Sequence, residues 1–570
     1  MMNIRGLTTL AVPAALLLGA LAAPAEAVFK PIGTYETGIF DDSAAEIGAY
    51  DPFTQRLFVT NGANNTIDIL DINDPTTPFL SSSIDLSGLG GGVNSVAFSD
   101  GLLAVAIEAE DTQAPGSVAF FDVDGTFQTA FEVGALPDML TFTPDGTKVL
   151  VANEGEPNDD YTIDPEGSVS IIDVSGGLGS ASVTTAGLGG FSDEELIEAG
   201  VRIFGPGASA AQDLEPEYIA VSPDSTQAFV SFQENNALGI LDLTEGEFTD
   251  IVSLGFKDHN DPENALDPSD EDDGINIQTV PTLGAYQPDA IAAYDVDGTT
   301  YVVTANEGDA RDYDGFSEES NLEDLFEDGL LDLDDDGEPD TLDTIEPKTG
   351  ETVAALLDET RLGDLDLTSA TGDIDGDGLI EELVSYGGRS FSIYNGATGE
   401  QVFDSGDDFE QILISLIDAG ELPLEAFNTD NDENDFDGRS DAKGPEPEAI
   451  DIGVVNGRTL AFIGLERVSG ILIYDITDPS APSFVEFTSN RDFVVDFDED
   501  NFELAGDLGP EDITFISKDV SPNGLNLIAV TNEVSGTTTL YADVPEPGAI
   551  AGLLAIGSLG FLSQKRKRSS

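Results

Sequence analysis

The stretch YVVTANEGDARDYDG, Tyr301–Gly315, decides how this chain is read. Tyr301, Val302, Val303 and Thr304 are aromatic or β-branched, the residue types that suit a pleated, half-buried strand. The run breaks at Ala305-Asn306-Glu307-Gly308 into a loop carrying Glu307, Asp309, Arg311, Asp312 and Asp314. A near copy, VLVANEGEPNDDY, occupies Val149–Tyr161, and weaker echoes end at Glu108, Glu234, Glu466 and Glu533. A hydrophobic strand that repeatedly runs into an acidic loop marks a repeat architecture with its chemistry on one rim.

Working outward, the most regular unit is a strand ending in Asp or Asn. It occurs at Thr66–Ile72, Ser117–Val123, Ser168–Val174, Ala237–Leu243, Ser390–Asn395, Gly470–Ile476 and Thr537–Asp543. Upstream of each lies a tight-turn signal: Asp51-Pro52, Asp100-Gly101, Asp145-Gly146, Asp224-Ser225, Asp297-Gly298, Asn456-Gly457 and Asn523-Gly524. Two short apolar strands around a turn, a third strand and a variable fourth make one propeller blade. The expected fold is all-β, a seven-bladed β-propeller with blades starting near residues 46, 94, 138, 217, 289, 448 and 511. The last copy lacks a fourth strand, which Phe29–Thr37 can supply. Asp366–Tyr386 is the candidate for an eighth blade, but it has no turn or first strand of its own.

Antiparallel neighbours put the start of each first strand and the end of each second strand on the same face. The starts carry Glu46, Asn94, Asp138, Glu217, Asp289, Glu448 and Glu511; the ends carry Glu108, Glu154, Glu234, Glu307, Glu466 and Glu533. So many carboxylates around one mouth cannot all ionise without counter-ions. Glu154, Glu217, Asp289, Glu307 and Glu448 are therefore candidate metal ligands. The long insertions 155–167, 189–214, 256–287, 308–389 (the largest) and 406–445 open on this face too.

Three insertion segments have calcium-loop spacing. Asp332, Asp334, Asp336 and Gly337 lead to Asp340 and Asp343; Asp373, Asp375, Asp377 and Gly378 lead to Glu381; Asp435, Asp437, Gly438 and Asp441 form a looser version. Calcium wants six to eight hard oxygens, and the glycine lets the backbone curl around the ion. Flanking helices are not evident, so these are calcium loops rather than EF-hands.

Lys257, Arg311, Arg361, Arg389, Arg439, Lys443 and Arg467 fall in or beside the same insertions. One reading is neutralisation of acidic loops. The other is catalytic: Glu307, Asp309 and Glu448 would hold metal while Arg311 and Arg389 hold a phosphate ester for attack by a metal-bound water. His259 is the single histidine and there is no cysteine, so histidine–nucleophile catalysis has one place to occur and a structural role suits His259 better.

The 570 residues carry 112 acidic and 20 basic side chains, a net charge of −92. Such a surface repels nucleic acid and anionic lipid and calls for metal cations or salt to relieve its self-repulsion. Arg5, the apolar run 7–23 and Ala25-Glu26-Ala27 form an export signal ending at residue 27. The organisation expected is a signal peptide 1–27, a propeller 28–544 and a sorting or anchor segment 545–570. In that last segment Pro545-Glu546-Pro547 precedes the apolar run 548–562 and Lys565-Arg566-Lys567-Arg568. Fifteen apolar residues are short for a permanent span.

The tail closely resembles the PEP-CTERM sorting signal, which implies processing by an exosortase-type membrane peptidase, membrane contact only through this segment, and delivery to the envelope or extracellular matrix of a Gram-negative or cyanobacterial cell. The stretches VANEGEPNDDYTIDPEGSVSIID (Val151–Asp173), GFKDHNDPENALDPSD (Gly255–Asp270), TANEGDARDYDGF (Thr304–Phe316), SYGGRSFSIY (Ser385–Tyr394) and SDAKGPEPEAI (Ser440–Ile450) resemble the choice-of-anchor I family of exported, propeller-like proteins. Some of its members carry an alkaline-phosphatase or phytase-like label. Two readings follow: a surface-displayed calcium-binding module, with an envelope polysaccharide among its expected ligands, or a metal-dependent phosphoesterase.

Overall fold

The structure is a computed structural model, which describes residues 27–545 apart from 273 and 500. The expected export signal and the sorting segment past residue 545 lie outside the described residues. Phe29–Ala542 forms one compact unit. Among the described residues no helix is long and apolar enough to cross a membrane.

The chain is all-β, and seven four-stranded antiparallel sheets account for most of it. In chain order their first strands are Gly48–Asp51, Val93–Ser99, Pro137–Phe142, Ile219–Val221, Ile291–Val296, Pro447–Val455 and Pro510–Ile516; we number the sheets 1 to 7 accordingly. Each first strand packs against the next, and that of sheet 7 returns to that of sheet 1. A closed cycle of first strands is the arrangement of a β-propeller. Sheet 7 takes its fourth strand, Ala27–Glu36, from the other end of the chain, beside Thr537–Pro545, and the Thr34 and Thr539 hydroxyls meet at 2.9 Å.

The sequence explains the layering. Second strands such as Lys148–Asn153 (KVLVAN) and third strands such as Ser168–Asp173 (SVSIID) are buried along nearly their whole length, because each sheet is covered on both faces by its neighbours. They read as continuous apolar runs rather than alternating ones. The fourth strand Phe79–Asp85 (FLSSSID) lies outside and is largely exposed. Three hairpins between first and second strands, Asp100-Gly101, Asp297-Gly298 and Asn456-Gly457, have positive φ at both residues, the tight turn whose twist matches the flanking strands.

The insertions build a layer of their own. Phe256–Asp258, Thr282–Ala285, Leu383–Ser385, Asp366–Thr368 and Glu319–Asn321 form a five-stranded sheet in that order, including a parallel pair between Thr282–Gly284 and Leu383–Ser385. Beneath it lies an apolar cluster that includes Leu266, Val280, Leu325, Leu356 and Leu367. Asp366–Tyr386, the candidate eighth blade, thus belongs to this sheet and pairs with strands of two separate insertions.

Candidate metal centre at the mouth

The Ala-Asn-Glu-Gly signature has a local cause. At the end of the second strand of sheet 5, the Asn306 amide donates to the Ser390 and Ser392 hydroxyls at 3.1 and 2.8 Å. Asn153 in sheet 3 donates to the Ser168 carbonyl at 3.0 Å and accepts from Gly134 N at 3.0 Å. With the asparagine pinned to the neighbouring strand, the next residue, Glu307 or Glu154, projects at the rim. The glycine then turns the chain with φ of +98° at Gly308 and +74° at Gly155. A Cβ on Gly308 would meet Gly387 N at 2.2 Å, so that position admits glycine alone.

The first strands supply the opposing acids. Pro137 pairs with Asn153, Pro447 with Leu465 and Pro510 with Asn532, and in each case the register shifts just past the proline. A residue without an N–H followed by a bulge frees the next side chain, Asp138, Glu448 or Glu511, from the regular pleat.

These acids converge. Asp138, Glu154 and Glu217, from sheets 3 and 4, each offer a carboxylate oxygen within 4.8 Å of the others. Asp289, Glu307 and Glu448, from sheets 5 and 6, do the same, and Glu307 also forms a trio with Glu446 and Glu466. Ligands at about 2.4 Å on opposite sides of a calcium ion lie about 4.8 Å apart, so both trios fit one coordination sphere. A cavity of about 330 Å³ is lined by Glu46, Asp138, Glu154, Glu217, Asp289 and Glu511, with Tyr218 and no lysine or arginine among its described lining residues.

Burial with mutual repulsion sets the protonation of this cluster. Burial, with Glu533 and Asp138 nearby, pushes Glu46 up to about 8. Burial and the charges of Glu156 and Glu108 push Asp138 up to about 7. Glu154, Glu217, Asp289 and Glu448 are held well above the ordinary range, by burial first and by the charges of neighbouring rim acids second. Protons or cations must therefore neutralise the mouth. The second oxygen of Glu448 is buried and accepts no hydrogen bond, whereas Glu307 accepts from Gln233 and Lys443, both at 2.9 Å.

One corner of the rim is different. Lys443 Nζ lies 2.9 Å from Glu307, 3.1 Å from Glu446 and 3.9 Å from the exposed Asp309. Arg439 and Arg467 reach Glu446 at 2.7 and 3.3 Å. Burial alone would raise Glu446, but Lys443, Arg439 and Arg467 together pull it down to about 2. Glu446 and its three cations, two of them shared with Glu307, Asp430 and Glu466, form an ion-paired bolt beside the second trio. The sequence offered a signal in AKGPEPEAI, where Glu446 immediately precedes the Pro447-Glu448 pair.

Arg311 and Arg389, expected to hold a phosphate ester, are committed elsewhere. Arg311 is fully buried over the Phe204 ring and bonds Asp213 at 2.5 Å, Glu215 at 2.8 Å and the Asp213 carbonyl at 2.6 Å. Arg389 is spent on Glu410 at 3.0 Å and on the carbonyls of Asp267, Ser440 and Ala442 at 2.7–2.8 Å. Of the expected catalytic set, the geometry brings together Glu307 and Glu448, with Asp309 at the edge; it ties both arginines into loop anchoring. His259 is buried, bonds the Asn264 carbonyl at 2.7 Å, and is lowered to about 3 by burial and Lys257, a structural histidine.

The loops differ among themselves. Asp373, Asp375, Asp377 and Glu381 form one cluster, curled by the Gly376 and Gly378 amides donating to Asp373 at 2.7 and 2.9 Å. Asp332, Asp334 and Asp336 form another, with Asp340 accepting from Leu333 N at 2.9 Å and Asp343 exposed in the following turn. Asp437 instead faces Asp267, Asp272 and Glu410, while Asp441 faces Asp270 and Asp366, and Asp435 packs beside Gly438. The loop reading from Asp435 to Asp441 therefore breaks apart: its acids point toward different neighbours.

The chain is 31% identical over 188 residues to Gigasin-3a of Magallana gigas, covering 32% of this chain and 64% of that protein. It is 27% identical over 357 residues to the mesenchyme-specific cell surface glycoprotein of Strongylocentrotus purpuratus, covering 59% of this chain and 41% of that protein. The chain thus spans less than two thirds of the length of these curated relatives. Among solved structures, hydrazine synthase of Kuenenia stuttgartiensis aligns at TM-score 0.43 and 12% identity over 90% of this chain and all of that one. The Cps50 (Swd1) β-propeller domain of Myceliophteria thermophila aligns at 0.41 and 8% identity over 91% of this chain and all of that one. The choice-of-anchor I domain model matches residues 46–479, three quarters of the chain and every element that builds the mouth apart from sheet 7, and the protein belongs to the choice-of-anchor I family.

Proposed function

We propose that this chain is an exported, seven-bladed β-propeller displayed at the cell surface or in the extracellular matrix, where it serves as a calcium-binding recognition or structural module. The observation that carries the reading is the pair of carboxylate trios, Asp138/Glu154/Glu217 and Asp289/Glu307/Glu448, drawn from adjacent sheets onto one rim. Oxygen-only ligand sets in a charge-dense, water-accessible mouth suit a hard divalent cation, calcium before zinc. Bound ions would relieve the repulsion there and leave coordination positions for a polyanionic or polyhydroxylated ligand. The blade count rests on the closed cycle of seven first strands. Surface display rests on family membership, on the relative named a cell surface glycoprotein, and on the leader and tail, whose resemblance to PEP-CTERM implies an exosortase-type peptidase as processing partner. A phosphoesterase is the weaker reading, because Arg311 is spent on Asp213 and Glu215 and Arg389 on Glu410 and three loop carbonyls.

Isothermal titration of calcium into the chelated chain tests the proposal. Wild type should take up calcium at the mouth, and Glu154→Gln with Glu448→Gln should remove those ions. Equal uptake by the double variant overturns the reading. Calcium-dependent hydrolysis of p-nitrophenyl phosphate that Glu307→Ala abolishes would restore the enzyme reading.

A further inference from the structure

We propose that a second kind of cation site lies away from the mouth, buried where the insertions 256–287 and 406–445 meet, with Asp267, Asn428 and Asp437 as its ligands. Three buried oxygens there accept no hydrogen bond: Asp267 Oδ1, Asn428 Oδ1 and Asp437 Oδ2. Their residues are 0%, 0% and 1% exposed, and an orphaned buried acceptor costs about 1–3 kcal/mol, more when charged.

Hydrogen bonds link the three residues through Glu410 and Ser440, Asp267 by its backbone N–H. Asn428 Nδ2 donates to Glu410 Oε1 and to Ser440 Oγ, both at 2.8 Å. Ser440 Oγ donates to Asp437 Oδ1 at 2.5 Å, and Asp267 N donates to Glu410 Oε2 at 3.3 Å. Glu410 Oε1 also accepts from Arg389 Nη1, so the Asn428 amide nitrogen is fixed on that side and its carbonyl oxygen on the other. That oxygen is the decisive observation. An aspartate pair left alone could share a proton, but a neutral carbonyl with both amide hydrogens already spent still needs a partner of its own, which a cation held with the two carboxylates supplies.

Charge supports a divalent ion. When ionised, Asp267, Asp437 and Glu410 carry three negative charges, and Arg389, bonded to Glu410 at 3.0 Å, returns one, so a divalent ion would leave the set neutral. Two carboxylate oxygens and an amide carbonyl, all hard, are a calcium-type donor set. Arg389 also holds the carbonyls of Asp267, Ser440 and Ala442, so the ion and the guanidinium would clamp the same two loops from opposite sides. The role is structural: the ion locks the roof of the charged face, and it is independent of the mouth trios.

Hydrogen–deuterium exchange on the full chain tests this, in a Glu154→Gln/Glu448→Gln background that lacks the mouth ions. Calcium should slow exchange in 267–276 and 428–440 at least tenfold, and calorimetry should retain one tight ion that Asp437→Asn removes. Unchanged exchange in both segments overturns the proposal, as does full stoichiometry in Asp437→Asn. Should Asp437→Asn fail to fold, the calcium-dependent exchange of the parent protein decides alone. A shared proton or a buried water would leave that exchange insensitive to calcium, and would equally overturn it.

Discussion

Replacing Asp138 by Asn should change stability in opposite directions with and without calcium. Asp138 is pushed up to about 7 and Glu46 to about 8 by burial and like charges. A carboxyl raised in the folded state binds more protons there than in the unfolded chain, so the chelated protein loses stability as pH rises from the unfolded toward the folded value. The slope is about 1.4 kcal/mol per pH unit for each group. Between pH 5 and 7 the two groups together should cost the chelated protein roughly 5 kcal/mol. For the unit Phe29–Ala542, about 2 cal/mol/K of unfolding entropy per residue makes 1 kcal/mol equal to about 1 °C, so Tm should fall by about 5 °C. Asp138→Asn removes one of these carboxyls and should raise the chelated Tm at pH 7 by about 3 °C. In calcium the same substitution deletes a ligand and should lower Tm; a site at a hundred times its Kd contributes about 2.7 kcal/mol. Differential scanning calorimetry from pH 5 to 8, in chelator and in calcium, measures both signs. A chelated Tm that is flat or rising over that range, or an Asn variant that shifts the same way in both conditions, refutes the reasoning.

Three further outcomes follow from the same geometry. Arg311→Ala leaves Asp213 and Glu215 buried without their partner and should destabilise the chain by about 3–5 kcal/mol in denaturant titrations, with calcium stoichiometry unchanged. Lys443→Met releases Glu307 from its cation and should tighten calcium binding at the Asp289/Glu307/Glu448 trio roughly tenfold, read by calorimetry at low salt, where the effect is least screened. Asp373→Asn opens an exposed loop, so it should remove one weakly bound ion while moving the calcium-free stability by less than about 0.5 kcal/mol.

The strands and their turns were legible because both faces of each sheet are covered, which writes continuous apolar runs between glycine-marked hairpins. The rim acids were legible for a related reason: Asn-Glu-Gly recurs in sheets 3 and 5 and a Pro-acid pair opens five of the seven sheets, and Asn306, Gly308 and Pro447 each have a local task that fixes the residue type. What repetition does not encode stayed hidden. The fates of Arg311 and Arg389 depend on Asp213, Glu215 and Glu410, which lie in or at the edge of insertions with no repeat partner. The five-stranded insertion sheet joins segments about a hundred residues apart, and Asp437 leaves its apparent calcium loop to face Asp267 across two insertions. Pattern reading finds elements that answer to local periodicity; contacts between unrelated loops are set by tertiary packing alone.

The most direct test is an anomalous-difference map from crystals of the full chain grown in calcium, measured at long wavelength. The account predicts peaks among Asp138, Glu154 and Glu217 and among Asp289, Glu307 and Glu448, with carboxylate oxygens at about 2.4 Å. A mouth without peaks, its carboxyls paired through shared protons, would contradict it.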